Sequence, residues 1–106
     1  MRKTVNVISR PAISEAIRRH PDAETWLNAW WKWAKAEQWE SLHDVRTRFP
    51  AADQVGGCLV FNACGNKYRL IVGVIYADES TGGTLFVKDF LTHAEYSKNR
   101  WQENCW

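Results

Sequence analysis

Residues 61–76, Phe61-Asn62-Ala63-Cys64-Gly65-Asn66-Lys67-Tyr68-Arg69-Leu70-Ile71-Val72-Gly73-Val74-Ile75-Tyr76, read as a strand end, a tight polar turn and a long second strand. Asn62 to Asn66 supply the turn chemistry, with Gly65 suited to positive φ. From Lys67 to Tyr76 the chain is apolar and β-branched enough to extend. Alternate side chains of a strand face opposite ways. Tyr68, Leu70, Val72, Val74 and Tyr76 therefore share one face, and Lys67, Arg69, Ile71, Gly73 and Ile75 the other. A cation inside so apolar a strand is costly unless it is paired or opens onto a groove. Arg69 thus has two readings: an ion pair with Asp89, or a guanidinium fork preset for a phosphate.

Upstream of this stretch, Cys58–Phe61 reads as a strand, preceded by a turn region at Ala51–Gly57. Downstream, Asp78–Gly83 is a hairpin loop and Thr84–Leu91 a further strand. Short turns between successive strands make the three of them an antiparallel meander. Thr92 followed by Glu95 fits a capping box that opens a final short helix. The tail from Trp101 to Trp106 either docks a tryptophan or frays.

Residues 4–8 alternate around Val5, Val7 and Ile8 and read as a short strand. Ser9-Arg10-Pro11 starts a helix, with Ser9 as its cap and proline tolerated in the first turn. Ile13, Ala16 and Ile17 form its apolar face. His20-Pro21 interrupts it, because the residue before proline avoids helical angles. A second helix covers about Asp22 to Glu37. Trp26, Trp30 and Trp33 fall on one face with Leu27 and Ala34, and Trp31 on its edge. That row is either a core stripe or a stacking platform for bases. Glu40–Phe49 reads as a short helical turn ended by Pro50. The expected fold is α+β: a small antiparallel sheet, made of a short N-terminal strand plus the three-stranded meander, packed against two N-terminal helices, with a short C-terminal helix.

The chain has 106 residues, 45% hydrophobic and 25% charged. This suits one domain over residues 1–106 with one core. A formal charge of +2 neither demands nor excludes a nucleic-acid partner. No secretory leader or membrane span is visible, and Cys58, Cys64 and Cys105 form no C-x-x-C pair. The expectation is a cytoplasmic protein with reduced thiols. His20, His43 and His93 lack partners at ligand spacing, so no metal is expected. Neither a phosphate loop nor a dinucleotide fingerprint occurs, so no cofactor is expected.

His93 and Tyr96 lie three apart at the start of the last helix and so on adjacent surface. They are either a cap histidine and a core tyrosine, or site residues. Arg46, Arg48, Lys67 and Lys88 either rim a groove or are ordinary solvated cations. Cys64 and His93 could suggest a thiol nucleophile, but nothing in the sequence brings them to hydrogen-bond distance.

Several of these segments together resemble the HigB toxins of bacterial type II toxin–antitoxin systems. The resemblance lies in Phe61-Asn62, Gly65-Asn66-Lys67-Tyr68-Arg69-Leu70 and Leu91-Thr92-His93-Ala94-Glu95-Tyr96. It extends to Arg10-Pro11, His20-Pro21-Asp22-Ala23, Asp44-Val45-Arg46, Phe49-Pro50 and Trp101-Gln102-Glu103-Asn104-Cys105, and so runs nearly end to end. HigB toxins are similar to the wider RelE-like group of small ribonucleases. The resemblance implies a RelE-like fold and an mRNA endonuclease working on transcripts under translation at the ribosome. It also implies a HigA-like helix-turn-helix antitoxin as partner, operator DNA reached only through the toxin–antitoxin complex, and no membrane. Metal-free RNA cleavage needs the 2′-hydroxyl deprotonated, the phosphorane charge stabilised and the leaving oxygen protonated. The expected catalytic set is Arg69, His93, Tyr96 and Lys67. Asn62, Asn66, Arg46, Arg48 and Lys88 are the expected RNA contacts. RelE-like enzymes often rely on several lysines and arginines, whereas cations are few here, which leaves the general base open. The alternatives are a noncatalytic RNA- or ribosome-binding module, or a protein-interaction domain docking a partner on an exposed Trp31 or Trp39.

Overall fold

The turn at the heart of the sequence forms as its residues require. Gly65 and Asn66 take φ of 63° and 95°, a region that glycine and asparagine enter at low cost; Cys64 takes 52° as well, which its side chain does not favour. The computed structural model describes residues 5–8 and 10–105. In chain order the elements are β1 (Asn6–Ile8), α1 (Arg10–Arg19), a 3-10 turn (Pro21–Ala23), α2 (Glu24–Ala36), α3 (Leu42–Arg48), β2 (Asp53–Val55), β3 (Cys58–Ala63), β4 (Tyr68–Ile75), β5 (Thr84–Thr92), α4 (His93–Ser97) and a 3-10 segment (Arg100–Asn104). The fold is α+β, with a five-stranded sheet in the order β1-β5-β4-β3-β2. The expected cap at Ser9 lies outside the described residues.

Two features of the sheet differ from expectation. The region read as a turn at Ala51–Gly57 contains β2, which pairs antiparallel with β3 through Asp53↔Val60 and Val55↔Cys58. Its three residues are too few and too polar to show a period. The sheet is also mixed, because β1 joins β5 in parallel. Three helices and a 3-10 turn separate β1 from the meander, so no hairpin fixes its direction. Between β4 and β5 the register shifts, with Ile71 opposite Asp89 and Val72 opposite Val87. Lys88 is the extra residue of this bulge.

The inner face of the sheet packs against the helices. Ile13, Leu27, Trp30, Val45, Leu59, Phe61, Leu70, Val72 and Phe90 form one buried core with them. The stripe α2 buries is Leu27, Trp30 and Ala34, continuing from Ala23. Trp26 is half-buried and Trp33 is 38% exposed, so the expected tryptophan row is split. The stripe drifts around the helix, because 3.6 residues per turn do not bring positions 26 and 33 to the same azimuth as Ala34. Trp33 is covered instead by the Arg48 guanidinium, 3.7 Å from its ring centre. Trp39, expected as a possible docking residue, is buried. Phe61 is the hub of the rings, 5.6 Å from Trp30, 5.1 Å from Phe49 and 6.1 Å from Trp39.

The outer face carries a second, smaller core of Cys58, Val60, Ile71, Leu91, Trp101 and Cys105. The C-terminal segment docks there, and Cys58 and Cys105 are joined by a disulfide. This corrects the expectation of reduced thiols. The two cysteines are 47 residues apart in sequence but have Cα atoms 5.2 Å apart, a proximity that only the folded chain reveals. Cys64 is the free cysteine. Among the described residues no helix is long and apolar enough to cross a membrane.

Candidate active site

Arg69 leaves β4 on the outer face, between Asn62 of β3 and Leu91 of β5. It is buried, at 8% exposure. Its Nη1 donates to the carbonyl of Asn66 at 3.0 Å and to that of Tyr68 at 3.1 Å. The left-handed turn is what aims the Asn66 carbonyl at the guanidinium. The expected ion pair with Asp89 does not form, and no carboxylate among the described residues reaches Arg69. Asp89 stands opposite Ile71, and its Oδ1 instead accepts from the Phe90 amide. A buried cation is thus held by carbonyl dipoles and an aromatic face, with no counter-charge. Such a group attracts an anion.

The aromatic face belongs to Tyr96, whose ring centre is 5.2 Å from the Arg69 guanidinium carbon. α4 is placed by its start. The Thr92 hydroxyl accepts from the Glu95 amide at 3.2 Å, and the Glu95 carboxylate accepts from the Thr92 amide at 2.9 Å. This capping box pulls the Glu95 carboxyl below its ordinary value, chiefly through the bond from the Thr92 backbone. Thr92 is paired with Tyr68, so the sheet itself carries α4 to the mouth of the turn. His93, the first residue of α4, is exposed there. The two segments expected to converge meet through Arg69 and Tyr96, and among the described residues no side-chain contact joins His93 to either.

Lys67 takes a different course. It belongs to the turn, not to β4, so strand alternation does not govern it. Its amine pairs with Asp22 of the 3-10 turn, on the helix side of the sheet. The Tyr68 hydroxyl donates to the same carboxylate at 2.9 Å, and the His20 ring lies 4.7 Å from that of Tyr68. The bond to Lys67 holds the Asp22 carboxyl below its ordinary value and raises the Lys67 amine above its own. Desolvation, then the bond to Asp22, raises the Tyr68 phenol. Sequence reading did not identify His20, Asp22 and Tyr68 as members of this corner.

The remaining candidates separate. Asn62 is exposed directly beside Arg69, and Asn66 is exposed at the turn. Lys88 lies on the same face further along, its stem crossing Gly73, where an added Cβ would fall 2.7 Å from Lys88 Cε. Arg46 and Arg48 on α3 are engaged elsewhere. Arg46 donates to the Ala52 carbonyl at 2.8 Å and pairs with Asp53 at 3.3 Å, while Arg48 pairs with Glu37 at 3.1 Å. Burial raises the Cys64 thiol above its ordinary value, which disfavours a thiolate. Next to the Arg69–Tyr96 pair opens a shallow depression of about 230 Å³ lined by Asp89, Leu91, Glu95, Lys98, Arg100 and Trp101. Lys98 and Arg100 are cations that sequence reasoning missed, because the tail showed no period to place them.

Residues 23–99 match the family model of HigB_toxin, described as the RelE-like toxic component of a toxin–antitoxin system. Over 97 residues the chain is 26% identical to a protein of Escherichia coli O6:H1 strain CFT073 named mRNA interferase HigB, an alignment covering 89% of this chain and 90% of that relative.

Proposed function

The chain belongs to the HigB family of RelE-like toxins, and from that premise we propose that it is an endoribonuclease that cleaves mRNA under translation at the ribosome. The relative named mRNA interferase supports the RNA-cleaving activity. Arg69 is the observation that carries the reading of the site. Its guanidinium is buried without a carboxylate, beside an exposed asparagine and against Tyr96, which suits the phosphate of a bound RNA backbone.

The reaction is an in-line attack of a ribose 2′-oxygen on the adjacent phosphorus, with the P–O5′ bond breaking to leave a 2′,3′-cyclic phosphate. Arg69 stabilises the charge that builds on the phosphorane oxygens. His93, exposed at the start of α4, is the proton-transfer group. Tyr96 orients the phosphate or base against Arg69. Lys67 is paired with Asp22 on the helix side and held protonated there, so it is not the base. Asn62 and Asn66 contact RNA at the rim, and Lys88, Lys98 and Arg100 extend the positive surface along the outer face. Arg46 and Arg48, already engaged with carboxylates, are secondary contacts. The net charge of +2 is small for tight binding of free RNA, so the ribosome presents the substrate and contributes the positioning. The partner is a HigA-like helix-turn-helix antitoxin that neutralises the toxin, and through which the pair reaches operator DNA. The site of action is the cytoplasm.

The test is expression in growing cells, alone and beside the neighbouring reading frame, with transcript 5′ ends mapped. Growth arrest with new 5′ ends inside translated frames, both suppressed by the neighbour, is the expected result. Equal cleavage of naked and ribosome-bound message by the purified protein would overturn the ribosome dependence.

A further inference from the structure

The last residues of the chain are fastened across the outer face of the sheet. Trp101 is 5% exposed and packs in one cluster with Val60, Ile71 and Leu91. Its ring is stacked on Tyr96, centroids 5.1 Å apart and planes within 13°. Its Nε1–H donates to the Tyr96 carbonyl at 3.0 Å. Beyond it, Cys105 is bonded to Cys58 of β3, and the Gly57 amide donates to the Cys105 carbonyl. A Cβ at Gly57 would lie 3.3 Å from that carbonyl, so the strap lies close against the β2–β3 hairpin. Tyr96 touches both Trp101 and Arg69. Its hydroxyl has no hydrogen-bond partner among the described residues, so packing alone sets the ring's orientation.

We propose that Trp101 is a positioning residue for the Tyr96–Arg69 pair, and that the Cys58–Cys105 disulfide is the removable fastener that keeps it in place, so that thiol reduction lowers the competence of the site. The inference rests on the reading of Arg69 and Tyr96 as phosphate-handling groups. The covalent step is ordinary exchange with a dithiol. A reductant thiolate attacks one sulfur and the S–S bond breaks. The mixed disulfide is then resolved by the second reductant thiol. Two electrons and two protons pass to the protein, giving two cysteine thiols, and the dithiol becomes a disulfide. Once open, the strap beyond Trp101 is held, among the described residues, by the Gly57–Cys105 hydrogen bond, the long contact of Cys58 Sγ with the Asn104 carbonyl at 4.0 Å and packing. Trp101 then loses the closure that pins it on Tyr96. A misplacement near 1 Å of groups that position substrate costs up to about a hundredfold in rate. A disulfide in a cytoplasmic protein is most often transient or redox-sensing, which suits a fastener over a permanent staple.

The experiment uses the full chain, oxidised or reduced with dithiothreitol, each then assayed in thiol-free buffer. Amide exchange of residues 93–101 should quicken on reduction while that of β4 stays unchanged. On ribosome-bound message kcat should fall about tenfold with KM within twofold. Cys58→Ser with Cys105→Ser should match the reduced protein and ignore the dithiol. Trp101→Phe, which keeps a ring against Tyr96, should recover most of the kcat lost in Trp101→Leu. In Tyr96→Leu the thiol effect on kcat should vanish, since partners in one contact chain are non-additive. Unchanged exchange on reduction, or a thiol effect undiminished in Tyr96→Leu, would overturn the inference. Wild-type kcat in Arg69→Met would sink the reading of the site and this inference with it. A slow Arg69→Met beside a thiol-insensitive wild type would sink the inference alone.

Discussion

Replacing Arg69 by methionine separates a structural cation from a phosphate-binding one. Two opposing terms set its effect on stability. Nη1 makes hydrogen bonds at 3.0 and 3.1 Å to the Asn66 and Tyr68 carbonyls. Removing bonds from a charged donor costs roughly 1.5–3 kcal/mol each. Against this, the wild type keeps a guanidinium at 8% exposure with no carboxylate, and burying a charge costs several kcal/mol. Methionine fills much of the same volume and carries no charge to desolvate. The terms cancel to within about 2 kcal/mol, which for a domain of this size shifts Tm by less than about 15 °C. Activity has no such cancellation. Loss of one preorganised group facing the developing phosphorane charge costs about 10²–10³ in kcat, or roughly 3–4 kcal/mol. Arg69→Lys keeps the charge but not the fork, and should fall between the two.

The assay is single-turnover cleavage of ribosome-bound message, with a thermal melt and a ribosome co-sedimentation on the same preparations. The reasoning predicts slow cleavage, a modest melt shift and unchanged co-sedimentation for Arg69→Met. Cleavage within threefold of wild type would show that Arg69 is not the phosphate group. A melt lowered by much more than 15 °C would show that its role is to hold the turn.

Other substitutions divide the molecule by face. His93→Gln should lower kcat about 10²-fold, as loss of a proton-transfer group does; cleavage within about threefold of wild type assigns the base elsewhere. Phe61→Ala should destabilise by about 3–5 kcal/mol, read by urea denaturation, because Phe61 is 1% exposed and touches Trp30, Phe49 and Trp39. Trp39→Phe should cost far less, since the buried Trp39 Nε1 has no acceptor to lose. Asp22→Asn tests the corner below the site by pH. The Asp22 carboxyl lies below its ordinary 3.8 in the fold, so its stabilisation is complete above pH 3.8 and fades as pH falls through the lowered value. The stability gap between wild type and Asp22→Asn should be flat across neutral pH and close in acid; a gap that opens near pH 7 would contradict the Asp22–Lys67 pairing.

The parts of the fold that were legible in the sequence are those fixed by local chemistry. The turn at Cys64–Asn66, the capping box at Thr92–Glu95 and the break at His20-Pro21 each follow from a few adjacent residues, and each sits where those residues put it. The alternation of β4 correctly separated Arg69 from Tyr68 and Leu70. It failed at Lys67, because the turn ends there and a strand period has no hold outside the strand. Where partners are distant the sequence was silent. β2 has three residues and no period, and the direction of β1 is set across three intervening helices. The Cys58–Cys105 bond spans 47 residues. The Arg69–Asp89 pair was a sound electrostatic guess, but Asp89 stands opposite Ile71, two residues along the strand from Arg69, and its Oδ1 accepts from the Phe90 amide.

That contrast explains why the candidate site lies where it does. On β4 the inner face is closed from Tyr68 to Val72, where Tyr68, Leu70 and Val72 are buried in the core shared with the helices. On the outer face, among the described residues, Trp101 packs on Ile71 and Leu91 and Tyr96 lies over Arg69, while Asn62, paired with Arg69 across β3 and β4, stays exposed. Arg69 is the buried cation between them. Without a cover, water would surround it and weaken its field. If Trp101 positions Tyr96 as proposed, the placement of that one ring bears on how dry the cation is, and the strap belongs to the site together with the strand that carries Arg69.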